Sequence, residues 1–396
     1  MKDYYLRTPY EQVCEFSSML GGQYVHFISK PGLPDWDTVS PASKLLAEHF
    51  NLSHATRLLF LGCGHGALAV VLARRFPRAE LWLMDLSCIA LKMCELTLHA
   101  NQINAARIHK EISVLPEQAG KFDAVLIDLP KGRKLAQRWL VEAYTALKSG
   151  GELYLAGPNN RGIQSVAKDA ADIFGDSSVL GYKKGNRVIR FRKSESAIHA
   201  PDWSQSPGIS PGTWLEIEVE IPGSTLKLRS LPGVFSAEKL DGGTRLLLSA
   251  LNIPPAACVL DLGCGYGILG LYAALSGADQ VDLVDSNLLA VAAARENLAV
   301  LGIQKARAIP SDVLSAVPDG HYTCAITNPP FHTGQSVDYQ MAMAFIDQTW
   351  KVLEPGGQFW IVANRFIRYD RFLNRIFGSV ETVHENERYH VLRAVK

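Results

Sequence analysis

The tetrapeptide Asn328-Pro329-Pro330-Phe331 carries the residue types best suited to a chemical reaction. An exocyclic amine or amide nitrogen is a poor nucleophile because its lone pair is delocalised into a π system. The Asn328 side-chain oxygen and a backbone carbonyl of the Pro-Pro turn could accept both N–H bonds of such a nitrogen, since prolines fix φ and do not donate. Phe331 offers a face on which a base could stack. The segment therefore predicts methyl transfer to a conjugated nitrogen, with an ordinary loop as the alternative.

This chemistry needs no metal and no strong general base, because the proton can leave after the methyl group has been transferred. His332 follows the tetrapeptide and could accept that proton. A structural histidine is the more typical interpretation of a single histidine in such a loop. The sequence therefore predicts four catalytic positions, Asn328 to Phe331, and no metal ligands.

A glycine-rich loop supplies the second chemical signal. Asp261, Gly263, Gly265 and Gly267 follow a β-rich run and precede a helical pattern. Glycines tolerate positive φ and leave no Cβ in the path of a ligand. Asp285 ends the next predicted strand, 24 positions after Asp261, where its carboxylate could accept hydrogen bonds from both hydroxyls of a ribose. The pattern indicates a nucleoside-containing cofactor.

The acidic residue before the glycines decides between two cofactor classes. In the dinucleotide fingerprint G-x-G-x-x-G a pyrophosphate lies at the helix N-terminus, whereas here Asp261 precedes a G-x-G-x-G spacing. Unit charges 4 Å apart interact by about 4 kcal/mol at an effective dielectric of 20, so a carboxylate disfavours an anion and favours a cationic sulfonium. We therefore expect S-adenosylmethionine. Asp312, after the third strand, is expected to accept a hydrogen bond from the adenine amino group, or alternatively to cap a turn.

The chain repeats itself at a spacing of about 200 residues. Four landmarks recur in the same order: 60–66 with 261–267, 81–85 with 281–285, 124–131 with 325–331, and 147–155 with 353–361. We therefore predict two copies of one domain, called here the N-terminal copy and the C-terminal copy.

Each copy alternates short apolar runs with helical patterns, which predicts an α/β fold with two tandem Rossmann-like domains. Each domain should be a mostly parallel, twisted sheet flanked by helices. The predicted division is 1–195 for the N-terminal copy, 196–212 for a linker rich in proline and glycine, and 213–396 for the C-terminal copy. Period-2 alternation about Pro222-Gly223 predicts a β-hairpin that leads into the C-terminal copy. The expected strands there are 258–262, 280–284, 306–309, 324–327 and 358–363, with helices from near 268 and over 288–301.

Composition excludes several classes of protein. Of the 396 residues 47% are apolar and 20% charged, and the net charge is +1, so the chain is not of the disordered type. No uncharged apolar run approaches the roughly 18 residues of a membrane-spanning helix, and the start lacks a signal-peptide pattern. The seven cysteines are scattered without a CxxC pair, which is typical of free thiols in a reducing compartment. We expect a soluble, cytoplasmic monomer without a metal site.

Charge is distributed unequally between the copies. Residues 1–195 hold 25 Lys and Arg against 19 Asp and Glu, whereas residues 196–396 hold 15 against 20. The stretch 183–193 alone contains six cations. It could be the solvated face of a terminal strand or an edge that binds phosphate groups.

On the glycine loop and the tetrapeptide, the sequence resembles the class I S-adenosylmethionine-dependent amino-methyltransferases, and more closely the bacterial ribosomal RNA guanine-N2 methyltransferases. The segments 231–236, 241–248, 261–267, 328–332 and 361–364 are similar to that family's. The resemblance implies a degenerate N-terminal and a catalytic C-terminal methyltransferase domain, with N2 of a guanosine in ribosomal RNA as the acceptor. It also implies that Phe235 and Asp241 lie over the cofactor. The partner is expected to be ribosomal RNA or a ribosomal subunit, preferably 16S RNA and the 30S subunit.

The N-terminal copy departs from this pattern where chemistry would occur. Phe60 stands in place of Asp261, and Asp128-Leu-Pro-Lys131 in place of the catalytic tetrapeptide. Without those groups this copy should not catalyse, and its positive charge suits a module that positions RNA. The expected phosphate contacts are Lys131, Arg133, Lys134, Arg138, Lys183, Lys184, Arg187, Arg190 and Arg192.

Alternatives remain open at this stage. The large-subunit 23S RNA is the nearest alternative substrate. A protein glutamine amide and the N6 nitrogen of adenine would use the same tetrapeptide chemistry. A nucleoside-sensing or RNA-binding scaffold without catalysis is an alternative from another class of protein.

Overall fold

The computed structural model describes residues 8–104, 106–109, 111–114, 116–194, 200–329 and 336–396. The chain forms two compact units. The N-terminal unit is Glu11–Trp214, and the C-terminal unit comprises Leu215–Lys396 together with Thr8–Tyr10. Each unit contains a seven-stranded sheet and a separate two-stranded hairpin.

The N-terminal unit begins with the hairpin and continues as alternating strands and helices. Its sheet has the order β5-β4-β3-β6-β7-β9-β8, with parallel pairs from β5 to β7 and antiparallel pairs at β7/β9 and β9/β8. The elements are β1 (Cys14–Leu20), β2 (Gln23–Ser29), α1 (Pro41–His49), β3 (Arg57–Leu61), α2 (Ala67–Arg75), β4 (Glu80–Met84), α3 (Cys88–Ala100), β5 (Ala106–His109), β6 (Phe122–Asp128), α4 (Arg133–Ala146), β7 (Leu147–Pro158), α5 (Ile163–Phe174), β8 (Ser177–Lys183) and β9 (Asn186–Arg192).

The C-terminal unit repeats this succession element by element. Its sheet has the equivalent order β14-β13-β12-β15-β16-β18-β17. The elements are β10 (Leu215–Ile221), β11 (Ser224–Ser230), α6 (Gly242–Ala250), β12 (Cys258–Leu262), α7 (Ile268–Leu275), β13 (Gln280–Asp285), α8 (Leu288–Val300), β14 (Ala306–Pro310), β15 (Tyr322–Thr327), α9 (Ser336–Val352), β16 (Leu353–Asn364), α10 (Tyr369–Phe377), β17 (Val380–Glu385) and β18 (Tyr389–Val395).

The central strands β12 and β15 lie between helices on both faces, so their apolar side chains are almost wholly buried. Helix α7 begins directly after Gly267, whose φ is +96°. A Cβ at Gly267 would lie 3.1 Å from Leu283 and 3.2 Å from Ala294, so glycine allows the turn to pack against β13 and α8. Strands β12, β13, β14 and β15 are parallel, so their carboxyl ends lie at the same edge of the sheet. Ligands of such sheets bind at this edge.

The predicted fold is confirmed. The five strands expected in the C-terminal copy and the helix from Ile268 are present, and α8 ends one residue before the predicted 301. Strands β15 and β16 are longer than expected, because β15 starts at Tyr322 and β16 at Leu353. The expected hairpin is β10 paired antiparallel with β11. None of the helices in the described ranges is long and apolar enough to cross a membrane.

The units divide the chain differently from the predicted boundaries at two points. Residues 200–212, part of the expected linker 196–212, and residues 213–214 of the expected C-terminal copy belong to the N-terminal unit. There the carbonyl of Gly208 accepts a hydrogen bond from Arg138, and Ile209 is buried. Thr8–Tyr10 pack with the C-terminal unit. Composition alone does not reveal such contacts, because they join residues that are distant in the sequence.

Candidate active site

The loop between β12 and α7 is folded back onto the end of β13. The backbone N–H groups of Gly263 and Cys264 both donate to the carbonyl of Val284, at 2.8 and 3.0 Å. Gly263, Gly265 and Gly267 all have positive φ, at +72°, +55° and +96°. A Cβ added at Gly265 would have no neighbour within 4 Å, so open space lies beside that residue. The loop thus has the conformation and the room that a nucleoside-binding turn requires.

Asp285 is held by the same loop. One carboxylate oxygen accepts from the N–H of Gly265 at 3.0 Å, and the other from the N–H of Asn287 at 2.8 Å. Burial raises the pKa of Asp285, while these two backbone donors oppose the rise. The backbone therefore fixes the orientation of the Asp285 carboxylate before a ligand binds. The remaining lone pairs of the carboxylate can accept hydrogen bonds from ribose hydroxyls.

Asp261 lies inside the fold and is fully buried. Its Oδ2 accepts from the N–H of Gly270 in the first turn of α7 at 2.8 Å, where the positive end of the helix dipole favours a carboxylate. Its Oδ1 is buried and has no hydrogen-bond partner among the described residues. Burial, with a smaller contribution from the charge of Asp285, raises the pKa of Asp261 to about 7. A cation beside Oδ1 would compensate this unpaired buried atom.

Asn328 follows β15 at the same edge of the sheet. Its Nδ2 donates to Asp241 Oδ2 at 3.0 Å and to Thr244 Oγ1 at 2.7 Å. Asp241 is the N-cap of α6, and the same Oδ2 accepts from the N–H groups of Gly243 and Thr244. Because a carboxylate oxygen in this position can only accept, the amide nitrogen of Asn328 must face it. The carbonyl oxygen of Asn328 is thereby kept for another donor.

Asp241 was expected over the cofactor, which stays a prediction; in the structure its carboxylate accepts from the amide of Asn328. Phe235 is 57% exposed in the loop after β11. That loop is tied to the start of α8, since Asn287 Nδ2 donates to the carbonyl of Gly233 at 2.9 Å. Pro329 is buried next to Asn328. Pro330, Phe331 and His332 lie outside the described residues.

Two residues of this region were missed by the sequence analysis. Thr244 stands three positions after Asp241, and the N-cap spacing could have placed it near Asn328. Tyr10 donates its hydroxyl to Asp312 Oδ1 at 2.7 Å, across 302 positions of the sequence. Asp312 itself lies just beyond β14, where Ser311 N donates to the carbonyl of Asp285. No local pattern announces the Tyr10 contact.

The comparisons with known proteins assign the fold and the chemistry to one family. The family model described as Methyltransferase small domain matches residues 24–190 and again residues 225–393. The chain belongs to this methyltransferase small-domain family. Because the model matches twice, the predicted duplication is confirmed, and both copies derive from the same family.

Three individual proteins are similar to the chain over most of its length. The chain is 36% identical to a ribosomal RNA small subunit methyltransferase C of Pseudomonas entomophila, over 73% of this chain and 83% of that protein. It is 28% identical to a ribosomal RNA large subunit methyltransferase G of Shewanella amazonensis, over 93% and 94% of the two chains. It is also similar to the structure of a 16S rRNA N2 methyltransferase of T. thermophilus in complex with AdoMet and guanosine. That similarity has a TM-score of 0.80 with 31% identity and covers 98% of both chains.

The N-terminal methyltransferase copy keeps part of this site and changes the rest. Gly64 N and Ser87 N donate to the two carboxylate oxygens of Asp85, both at 2.9 Å, as Gly265 and Asn287 do to Asp285. Phe60 occupies the strand position equivalent to Asp261. Asp128 ends β6 as Asn328 follows β15, and burial raises the pKa of Asp128 to about 6.

The expected RNA contacts of this copy differ in accessibility. Arg138 was wrongly expected at the surface: it is 2% exposed, pairs with buried Glu142 and also donates to Ser113 and Gly208. Arg133 is exposed but bidentate to Asp169, Arg187 contacts the ring of Tyr182 and donates to Asn159, and Arg190 lies 3.6 Å from Glu152. The remaining candidates are exposed: Lys131, Lys134, Lys183, Lys184 and Arg192.

Proposed function

We propose that this methyltransferase transfers the methyl group of S-adenosylmethionine to the exocyclic N2 of a guanosine in small-subunit ribosomal RNA. The observation that carries the proposal is the oriented amide of Asn328, whose nitrogen is occupied by Asp241 and Thr244. The similarity over 98% of both chains to a 16S rRNA N2 methyltransferase in complex with AdoMet and guanosine supports this substrate.

The residues present fit this cofactor. The unpaired Oδ1 of Asp261 calls for a positive partner, the open space beside Gly265 admits a ligand, and Asp285 presents lone pairs to a ribose. Asp312 would accept from the adenine amino group, and the loop of Phe235 would cover the nucleoside. When bound, S-adenosylmethionine supplies a methyl group activated by its sulfonium charge.

The chain itself orients the acceptor nitrogen. The Asn328 carbonyl oxygen accepts one N–H of the guanine amine, which places the nitrogen in line with the methyl group and counteracts conjugation of its lone pair. Asp241 and Thr244 keep the amide from turning its nitrogen towards the substrate. The acceptor's proton leaves to solvent after transfer, so the proposal requires no strong base.

The exposed cations of the N-terminal unit would hold the phosphate chain of the RNA while the C-terminal unit acts on the base. This division follows from the departures at Phe60 and Asp128, which remove the cofactor carboxylate and the oriented amide from the N-terminal unit. Its role in RNA positioning is part of the proposal.

The test is methylation of ribosomal subunits from cells lacking the gene. Purified 30S and 50S subunits, and the naked RNA of each, are incubated with the protein and labelled S-adenosylmethionine, followed by mass spectrometry of the nucleosides. We expect N2-methylguanosine in 16S RNA only, and none with Asn328→Ala. Label in 23S RNA would favour the large-subunit activity, for which the Shewanella amazonensis relative is a precedent. Label in N6-methyladenosine or in protein glutamine would refute the guanine assignment.

A further inference from the structure

Thr8–Tyr10 belong to the C-terminal unit, whereas Glu11 and the residues that follow it belong to the N-terminal unit. Thr8 and Tyr10 are 7% and 5% exposed. Tyr10 belongs to the same buried cluster as Leu262 at the end of β12 and Val313 beyond β14. Tyr10 is therefore part of the core where β12 and β14 of the C-terminal sheet end.

The hydroxyl of Tyr10 faces the carboxylate of Asp312. It donates to Asp312 Oδ1 at 2.7 Å. Asp312 follows Ser311, whose N–H donates to the carbonyl of Asp285 at 3.0 Å, so the segment after β14 is joined to the strand that carries the ribose carboxylate. Holding one oxygen of a carboxylate determines where the other oxygen points, because the group is planar and rigid.

We propose that Tyr10 is a positioning residue for the adenine subsite: it holds Asp312 so that the carboxylate accepts the adenine amino group, and it thereby makes the C-terminal unit selective for an adenosyl cofactor. The inference rests on the proposed function, which places adenine at Asp312. Selectivity arises because a group placed to receive an N–H rejects a base that presents a carbonyl oxygen instead.

The N-terminal unit offers an internal contrast. There the segment that precedes a hairpin is residues 201–214, ahead of β10, and it packs on the N-terminal unit. It makes one contact through the carbonyl of Gly208, which accepts from Arg138, and another through Trp203 Nε1, which donates to Asp172 Oδ2 at 3.3 Å. Each copy thus receives the segment that precedes the other copy's hairpin. In the C-terminal unit that segment contributes Tyr10, whose hydroxyl contacts the carboxylate of Asp312 after β14.

The test is Tyr10→Phe, which removes the hydroxyl and keeps the buried ring. Calorimetry measures the affinity for S-adenosylhomocysteine and for S-inosylhomocysteine, in which a carbonyl replaces the amino group. We expect the variant to lose about tenfold in affinity for the adenosyl compound, as for a hydrogen bond to a charged group, and little for the inosyl compound. The ratio of the two affinities is the readout, because a general loss of stability would lower both together.

Tyr322→Phe is the matched control. Tyr322 also donates to a carboxylate of the C-terminal unit, Asp282 Oδ2 at 2.6 Å, but at the start of β15, the end of the strand opposite Asn328. We expect this variant to leave the ratio at the wild-type value. Asp312→Ala should abolish the discrimination, and adding Tyr10→Phe to it should change nothing further.

Three results would overturn the inference: an unchanged ratio in Tyr10→Phe, a further loss when the two substitutions are combined, or full discrimination in Asp312→Ala. Full discrimination in Asp312→Ala would also refute the proposal that Asp312 accepts from the adenine amino group. If the ratio falls as expected while the wild-type protein methylates no ribosomal RNA, the inference stands and only the proposed substrate fails.

Discussion

The side chains at the equivalent positions Asn328 and Asp128 form hydrogen bonds in opposite directions: Asn328 donates, whereas Asp128 accepts. In the C-terminal unit the amide of Asn328 donates to Asp241 and Thr244. In the N-terminal unit the carboxylate of Asp128 accepts from the hydroxyls of Ser40 and Ser43, at 3.4 and 3.0 Å. Both arrangements pair their polar groups, so both are compatible with the fold. Only the first leaves an amide oxygen for a substrate N–H.

The two copies also differ at the strand position of Asp261, where the N-terminal copy has Phe60. A buried carboxylate with one unpaired oxygen is costly, and the N-terminal unit instead buries Phe60 there. By contrast Asp85 and Asp285 keep the same two backbone donors. The loop conformation, which packing maintains, is therefore the same in both copies, although the groups required only for chemistry differ.

Asn328 should give the largest effect. Asn328→Ala removes the acceptor for the substrate N–H, and we expect turnover to fall by about 100-fold or more while the cofactor dissociation constant changes only a few-fold. Asn328→Asp, which installs the N-terminal copy's residue, should be at least as damaging because it faces the carboxylate of Asp241. Single-turnover methylation and calorimetry measure the two quantities. Asp128→Asn is the matched control and should leave activity unchanged. An equal loss of binding and rate would contradict the assigned role.

Asp285 and Asp85 test whether the shared carboxylate geometry still binds a nucleoside in both copies. We expect Asp285→Ala to weaken cofactor binding by about 10- to 100-fold, because hydrogen bonds from the ribose to a charged acceptor are removed. Asp85→Ala removes the same backbone contacts in the N-terminal unit and should not alter the affinity. Calorimetry with S-adenosylhomocysteine measures both. Unchanged affinity in Asp285→Ala would refute the ribose assignment.

Asp261 should make cofactor binding depend on pH. A cation binds the ionised carboxylate, and the pKa of Asp261 in the free protein is about 7. Affinity should therefore rise by about tenfold from pH 6 to pH 8 and level off above that. Asp261→Asn should flatten this dependence and weaken binding. Calorimetry across this range is the measurement, and pH-independent affinity in the wild-type protein would count against a charged role for Asp261.

The same shift has the opposite sign for the stability of the free protein. Folding raises the pKa of Asp261 from 3.8, so the folded chain binds more protons than the unfolded chain between the two values. This residue consequently lowers the free energy of unfolding as pH rises from about 4 to about 7. Phe60 makes no such contribution in the N-terminal copy. Urea unfolding of wild type and Asp261→Asn at several pH values separates this contribution from that of other groups.

The charged surface of the N-terminal unit should give the smallest effect. Lys183 and Lys184 are exposed at the turn between β8 and β9. Replacing both with alanine should reduce the salt dependence of RNA binding by about one counterion for each phosphate group that the lysines no longer neutralise. Arg138→Ala is the contrasting variant, since it leaves the buried carboxylate of Glu142 without its cation and should cost about 3–5 kcal/mol of stability. RNA titrations at several salt concentrations measure this dependence. An unchanged slope of the logarithm of the binding constant against the logarithm of the salt concentration would exclude the two lysines as phosphate contacts.

Much of the fold could be predicted because its signals are local. Short apolar runs, the glycines of 263–267 and the spacing from Asp261 to Asp285 all lie within a few dozen residues. The same holds for the tetrapeptide at 328–331. Contacts between distant parts of the chain were less accessible: the cation at Arg138 was expected at the surface, yet its partners Ser113 and Gly208 bury it. A charge pattern does not distinguish a solvated arginine from a paired one.

The duplication, the parallel sheets and the identity of the groups at the carboxyl ends of the strands can be predicted from sequence, because periodicity and glycine spacing act through neighbouring residues. Which atoms those groups present to a ligand depends on the packing of elements that are distant in sequence. The amide of Asn328 is oriented by Asp241, 87 positions earlier, and Asp312 is held by Tyr10, 302 positions earlier. Such orientations depend on how separate elements pack, since a hydrogen bond requires its two atoms to meet within about 3 Å.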